Sequence, residues 1–351
     1  MKSILIIRFS AIGDVAMSVP VLHSLAAQYP DYRITVLSKA HLQPLFSSLP
    51  ANVSFLGVNL QADYAGFKGL NRLYSELKRL DFDYVVDLHN VLRTKYLSFR
   101  FRLDGVAVSV IDKGRRGKKE LVRKKNKKLT QQTTSIERYK KAIEKTGCSI
   151  KLDFLSIFGE EKGDFTEIVK LTGEKKGLWV GIAPFAQHRG KIYPLEKMKK
   201  VVSSLNKQPN ITIFLFGGGE KEKQFMEEWE SEFDHVYSVI GKLKMNLELI
   251  LMSHLDMMVS MDSSNMHFAS LVNTPVLTLW GATHPFAGFL GWRQSEELIV
   301  QNEELPCRPC SIYGQKECFR GDYACMNSIK EELVVSKILD FLNSKEAKNK
   351  R

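Results

Sequence analysis

Residues 259–285 read VSMDSSNMHFASLVNTPVLTLWGATHP. An apolar run over 255–259, broken by Asp256, ends in the polar turn Asp262-Ser263-Ser264-Asn265. A short helical pattern follows, then Thr274-Pro275 and a second apolar run over 276–280. The order is strand, polar turn, helix, strand. Open α/β sheets bind ligands beyond the carboxyl ends of their strands, and a helix N-terminus turns free N–H groups toward an anion. Asp262 and Ser263 therefore have two readings, as helix caps or as part of an anion site.

The same alternation extends outward in both directions. Buried strands are expected at 3–8, 33–37, 83–88 and 106–111, with helices near 15–29, 67–80 and 91–103. Pro20 should kink the first helix or mark its true start. A polar, glycine-bearing stretch at 159–177, whose one apolar period marks a candidate helix at 165–171, reads as a linker, and the pattern then restarts. Strands are expected at 178–183, 211–216, 235–239, 255–260 and 276–279. Helices fall near 195–205, 221–233 and 247–253, and an amphipathic helix at 328–342 precedes a charged tail expected to fray. Short apolar strands separated by helices predict two doubly wound, mainly parallel α/β domains facing a central cleft, over 1–160 and 161–345.

Bulk properties narrow the function. At 351 residues, 44% apolar and 26% charged, the chain has the make-up of a soluble two-domain protein. No apolar run reaches the roughly 18 residues of a membrane span. The start, MKSILIIRFSAIGD, lacks a signal-peptide pattern, so a cytoplasmic protein is expected. Ten basic residues against one acid, Glu120, lie in 113–128 and carry most of the net charge of +12. Such a block reads as a solvated loop able to dock on polyanions, including an anionic membrane surface or glycolipid. Without an aromatic residue to stack on bases it does not favour nucleic acid. Cys307, Cys310, Cys318 and Cys325 form C-x2-C-x7-C-x6-C. In a cytosolic chain four such thiols read as a structural zinc site or as a reduced cluster.

Four loops recur after strands. The first, 9–14, carries Ser10 and Gly13 as acceptor contacts and Asp14, which reads as a helix-dipole partner or as a general base. It lacks the dinucleotide fingerprint. The second, 87–93, offers His89, Asn90 and Arg93 as acceptor contacts or caps. The third, 183–194, crowds His188, Arg189 and Lys191 at a helix start, suited to a pyrophosphate or simply solvated. The fourth, 216–220, is glycine-rich around Gly218, and Glu220 or Glu222 could accept from ribose hydroxyls.

Together, IIRFSAIGDVAMSVPVL, APFAQHRGKIYP, FGGGE and MDSSNMHFASLVNTPVLTLWGATHP resemble glycosyltransferase family 9, the ADP-heptose:lipopolysaccharide heptosyltransferases. The resemblance implies a GT-B fold, with acceptor on the first Rossmann-like domain and nucleotide sugar on the second. It implies inverting, metal-independent transfer with Asp14 as base, requiring no cofactor, from an ADP-sugar to an anionic glycolipid. Lys191 would contact the donor phosphates. Asp262, Ser263, Ser264 and His267 would surround the pyrophosphate, and Glu220 or Glu222 the ribose. Peripheral contact with the inner membrane surface is implied as well. The sequence departs from the family before Lys191, where phosphate-binding threonines are replaced by Ala186 and Gln187. The cysteine segment matches some members only, which implies a role outside catalysis. The rival readings are a nucleotide-sugar epimerase on the same fold and a basic RNA-binding protein.

Overall fold

A computed structural model describes residues 2–349. The chain folds as two compact units, one of 1–115 and 133–157, the other of 116–132 and 158–351. Relative to the expected division at 160/161, the second unit begins at Phe158 and also takes the segment 116–132.

The elements run β1 (Ser3–Ile7), α1 (Ile12–Ala16), α2 (Val19–Gln28), β2 (Arg33–Lys39), β3 (Val53–Val58), α3 (Gly66–Lys78), β4 (Tyr84–Asp87), α4 (Leu92–Leu103) and β5 (Ala107–Val110). Next come α5 (Arg115–Leu121), α6 (Ser135–Glu144), α7 (Thr166–Thr172), β6 (Leu178–Ala183), α8 (Leu195–Asn206) and β7 (Ile211–Leu215). The chain continues through α9 (Glu220–Glu232), β8 (Val236–Ser238), α10 (Met245–His254), β9 (Met257–Met261), α11 (Ser264–Leu271) and β10 (Val276–Trp280). It closes with β11 (Ile299–Gln301), α12 (Ala324–Asn327) and α13 (Glu331–Asn349).

The first unit holds a parallel sheet of order β3-β2-β1-β4-β5. The second holds a parallel sheet of order β11-β10-β9-β6-β7-β8. Both are doubly wound, and each reverses direction once, between β1 and β4 and between β6 and β9. Every residue of β1, β6, β9 and β10 is buried, as befits strands covered by helices on both faces. Each unit has its own core, around Leu5, Ile7, Leu73 and Phe101 in the first. In the second the core gathers around Val180, Ile213, Met257, Leu277 and Ile338.

Pro20 occupies the second position of α2, where its missing N–H costs nothing. The chain breaks at Met17–Ser18 between two short helices. At the other end α13 continues to Asn349, beyond the expected end at 342. The last two residues of the expected frayed tail lie outside the described residues. No described helix is long and apolar enough to cross a membrane.

Segment 113–128 differs from the solvated loop its charge suggests. Lys118 is buried, its ammonium 4.3 Å from the ring centre of Phe289. Lys127 Nζ donates to the carbonyls of Pro306, Cys307, Arg308 and Pro309 at 2.7–3.1 Å. A buried aromatic face and four orphan carbonyls satisfy cations that water would otherwise hold. Arg115, Arg116, Lys119, Arg123, Lys124, Lys125 and Lys128 remain exposed.

Candidate active site

The loops at 9–14, 87–93, 183–194 and 262–265 follow the strands that flank the two switch points, and the glycine-rich turn at 216–220 follows β7. In the first unit, Ile7 of β1 pairs with Asp87 of β4, so the loops carrying Asp14 and His89 leave neighbouring strand ends. Asp14 sits in the first turn of α1, and its Oδ2 accepts from Ala11 N at 3.2 Å. Arg8, the last basic residue before the loop, closes a 2.7 Å ion pair on the same oxygen. The hydroxyl of Tyr139 reaches Asp14 Oδ1 at 3.5 Å, and its ring lies under the Arg8 guanidinium. Burial works against the Arg8 charge, yet Tyr139 and Asp14 outweigh it and raise its pKa. Arg8 and Tyr139 escaped the sequence reading. The one signal was a basic residue ending an otherwise apolar strand, SILIIR.

Asp87 shapes the second loop. Its Oδ1 accepts from the backbone N–H groups of His89 (2.8 Å) and Asn90 (2.7 Å), while Oδ2 is buried without a hydrogen bond. The turn places Asn90 at φ 48°, a conformation asparagine tolerates. His89 Nε2 lies 3.3 Å from Ser10 Oγ, which joins the two loops. Burial, then the cations Arg8 and Lys113, push His89 down to about 3, so the ring is neutral at working pH. Gly13 lies in the first turn of α1, and Arg93 is exposed near the start of α4. Asp14 thus pairs with Arg8, Ser10 meets His89, Asn90 follows His89 in the turn shaped by Asp87, and Arg93 stands exposed as the second residue of α4.

In the second unit, Ala183 of β6 pairs with Ser260 of β9. The loops beyond them meet: Lys191 Nζ stands 3.0 Å from Asp262 Oδ2, both side chains largely buried. Ser263 takes the N-cap position of α11 in extended conformation, but its side chain makes no cap hydrogen bond and instead lies 3.2 Å from Ser260 Oγ. The first N–H groups of α11, beginning with Ser264, therefore receive no side-chain cap. His267 is buried one turn further on. Arg189 is exposed, with its guanidinium 5.1 Å from the ring centre of Tyr323, whereas Lys191 is the loop's inward cation.

The glycine-rich turn leads into α9. Gly218 is open, with nothing within 4 Å of where a Cβ would stand. Glu222 Oε2 accepts from Gly218 N at 2.8 Å; burial raises its pKa against that hydrogen bond. Of the two acids expected at this turn, Glu222 is tied to the backbone of Gly218 and Glu220 is exposed.

The cysteine segment abuts this site. Ala282 N donates to Gly190 O at 2.8 Å, and Ala282 O accepts from Cys310 N and Ser311 N. Buried Arg308 donates to the carbonyls of Trp280, Gly281 and Thr283, fastening the segment to the end of β10. Cys307, Cys310, Cys318 and Cys325 line one small enclosed cavity. Burial pushes Cys325 up to about 11, and burial with the neighbouring thiols raises Cys310. Among the described residues no three His, Cys, Asp or Glu side chains stand in metal-ligating geometry. The four thiols share a cavity without forming a closed cage.

The model of glycosyltransferase family 9 (heptosyltransferase) matches residues 70–317. The chain belongs to this family. Lipooligosaccharide heptosyltransferase 2 of Haemophilus influenzae is 25% identical over 362 residues, covering 97% of this chain and 99% of its own. The structure of E. coli ADP-heptose lps heptosyltransferase II superposes with a TM-score of 0.70 at 19% identity, covering 99% and 100% of the two chains. E. coli heptosyltransferase WaaC with ADP gives 0.67 at 16% identity, covering 97% and 99%. The fold is GT-B, and the chain is a glycosyltransferase. Family membership decides for sugar transfer over the epimerase and RNA-binding readings.

Proposed function

We propose that this glycosyltransferase moves heptose from ADP-heptose onto an anionic lipopolysaccharide-core or lipid A-type acceptor, with inversion. One observation carries the reading: Lys191, held by Asp262, stands at a switch point whose next helix begins with uncapped N–H groups. A cation and a helix N-terminus together stabilise the charge that grows on a leaving diphosphate. Asp14 takes the proton from the acceptor hydroxyl as it attacks the anomeric carbon, and the transition state is oxocarbenium-like. Arg8 and Tyr139 hold the carboxylate in place. Ser10, His89, Asn90 and Arg93 contact the acceptor, and the exposed cations of 115–128 attract its anionic groups. Arg189, Gly218, Glu220 and His267 complete the donor contacts. The enzyme works in the cytoplasm in peripheral contact with the inner membrane, and transfer needs no cofactor.

Thermal stabilisation by ADP, UDP and GDP tests the donor. ADP should raise the unfolding temperature most, and Lys191→Ala should shrink the ligand-induced shift. The shift is the readout because Lys191→Ala also strands a buried carboxylate. Stabilisation by UDP or GDP alone overturns the ADP assignment.

We also propose that Cys307, Cys310, Cys318 and Cys325 close on a structural zinc. Support comes from their shared cavity and from four thiols gathered within 307–325. Metal analysis of the purified chain should find one zinc per molecule, reduced in Cys318→Ser. A metal-free chain with four titratable thiols overturns it.

A further inference from the structure

Helix α4 is apolar on two faces. Thr94, Leu97, Ser98 and Phe101 pack inward. On the opposite side Leu92 is 86% exposed, Phe99 55% and Leu103 67%. Their spacings of seven and four residues align them in one stripe along the helix. Phe67 of α3, 64% exposed, extends the stripe by packing edge-on against Tyr96, ring centres 4.8 Å apart. A contiguous apolar patch of this kind calls for an occupant.

The charges around it identify the occupant. α4 contains Arg93, Lys95, Arg100 and Arg102 and no acid. Arg100 is engaged over the ring of Tyr74 and with Asn71. Arg93, Lys95 and Arg102 are exposed and form no ion pair among the described residues. The nearby acids are already neutralised, Glu76 by Arg72 and Asp104 by Lys78. Aliphatic and aromatic side chains flanked by free cations are what the boundary between acyl chains and anionic headgroups receives. A second copy of the chain is a poor fit, because a twofold contact through this stripe would bring the same cations face to face.

We propose that the outer face of α4 docks on an anionic lipid bilayer, with Leu92, Phe99 and Leu103 entering the interface and Lys95 and Arg102 at the headgroups. The inference rests on the reading that the acceptor is a membrane-borne glycolipid, and it assigns the bilayer contact to α4 rather than to 113–128.

Co-sedimentation of the full chain with phosphatidylcholine vesicles, with and without phosphatidylglycerol, tests it. The wild type should bind the anionic vesicles and largely ignore the neutral ones. Phe99→Ser/Leu103→Ser should lower partitioning about tenfold or more. Lys95→Glu/Arg102→Glu should lower it and flatten its salt dependence. Both variants should keep the wild-type unfolding temperature and ADP response, since these side chains are exposed and outside the donor loops. Arg123→Glu/Lys125→Glu should retain most binding. The inference is overturned if the wild type does not bind, or if the apolar variant binds as the wild type does. It is also overturned if only the Arg123/Lys125 variant loses binding. A wild type that self-associates and becomes monomeric on Phe99→Ser/Leu103→Ser would make the stripe an interface between copies instead. Failure of the donor reading shows separately, as an absent ADP response with vesicle binding intact.

Discussion

Gly314 makes room for Lys191. A β-carbon on Gly314 would stand 2.5 Å from both Cγ and Cδ of that lysine. The same glycine sits at φ +82° and donates its N–H to the buried hydroxyl of Ser311. The cysteine segment therefore forms one wall against the stem that delivers the ammonium to Asp262.

Replacing Gly314 with alanine should push the lysine off this line. ADP binding by calorimetry should weaken about tenfold, the scale of one charge-assisted hydrogen bond. Gly321→Ala is the control, because Gly321 has φ +79° but open space around it, so it shares the backbone strain without the collision. In a Lys191→Ala background Gly314→Ala should cost little more, since both changes act through one ammonium.

Asp14→Asn should reduce sugar transfer on the order of a hundredfold or more while leaving ADP binding unchanged. Arg8→Met should also lower transfer and spare ADP binding, because it frees the carboxylate from its 2.7 Å partner. Steady-state rates and calorimetry on each variant check the separation. Full turnover by Asp14→Asn would remove it as the base.

His89 links stability to acid. Its folded pKa of about 3 lies below the ordinary histidine value, so between the two the unfolded chain binds a proton that the folded chain refuses. Stability should therefore fall as pH drops through about 6 toward 4, by up to about 1.4 kcal/mol per unit from this residue. His284, depressed to about 4 by burial and then Arg308, adds the same sign. Denaturant melts across that range should show a shallower slope in His89→Gln, and an identical slope would contradict the assignment.

Lys127→Ala should destabilise by about 1–3 kcal/mol, because it strands carbonyls that now share its ammonium. Exposed Lys125→Ala should be nearly neutral. Thiol labelling should speed up in the first variant alone, as the loop of Cys307 and Cys310 loosens.

The strands around each switch point were readable because they are continuous apolar runs, and their loops because polar residues follow at once. β3 escaped because Val53–Val58 is a half-exposed edge strand without clean alternation. β11 is three residues long. The start of α6 was legible in Thr134-x-x-Glu137, whose hydroxyl accepts from Glu137 N at 3.2 Å, but the basic block before it drew the whole stretch into a loop reading. Asp14, Lys191 and Asp262 were legible as loop residues. The Arg8–Asp14 pair was not, since nothing local says that an arginine ending a strand folds back over the next helix. Lys118 and Lys127 were misread for a related reason: their partners lie more than 150 residues away in sequence. The register of α4 was legible as a helix, but choosing which of its two apolar faces the sheet covers required the tertiary structure.

The passage of 116–132 into the second unit constrains how such enzymes can be recombined. A chimera joined only at 157/158 would inherit Lys118 and Lys127 from one parent and their aromatic and carbonyl partners from the other. Shuffled acceptor and donor halves should work only when that segment travels with the donor half, so the exchangeable module here is discontinuous in the gene.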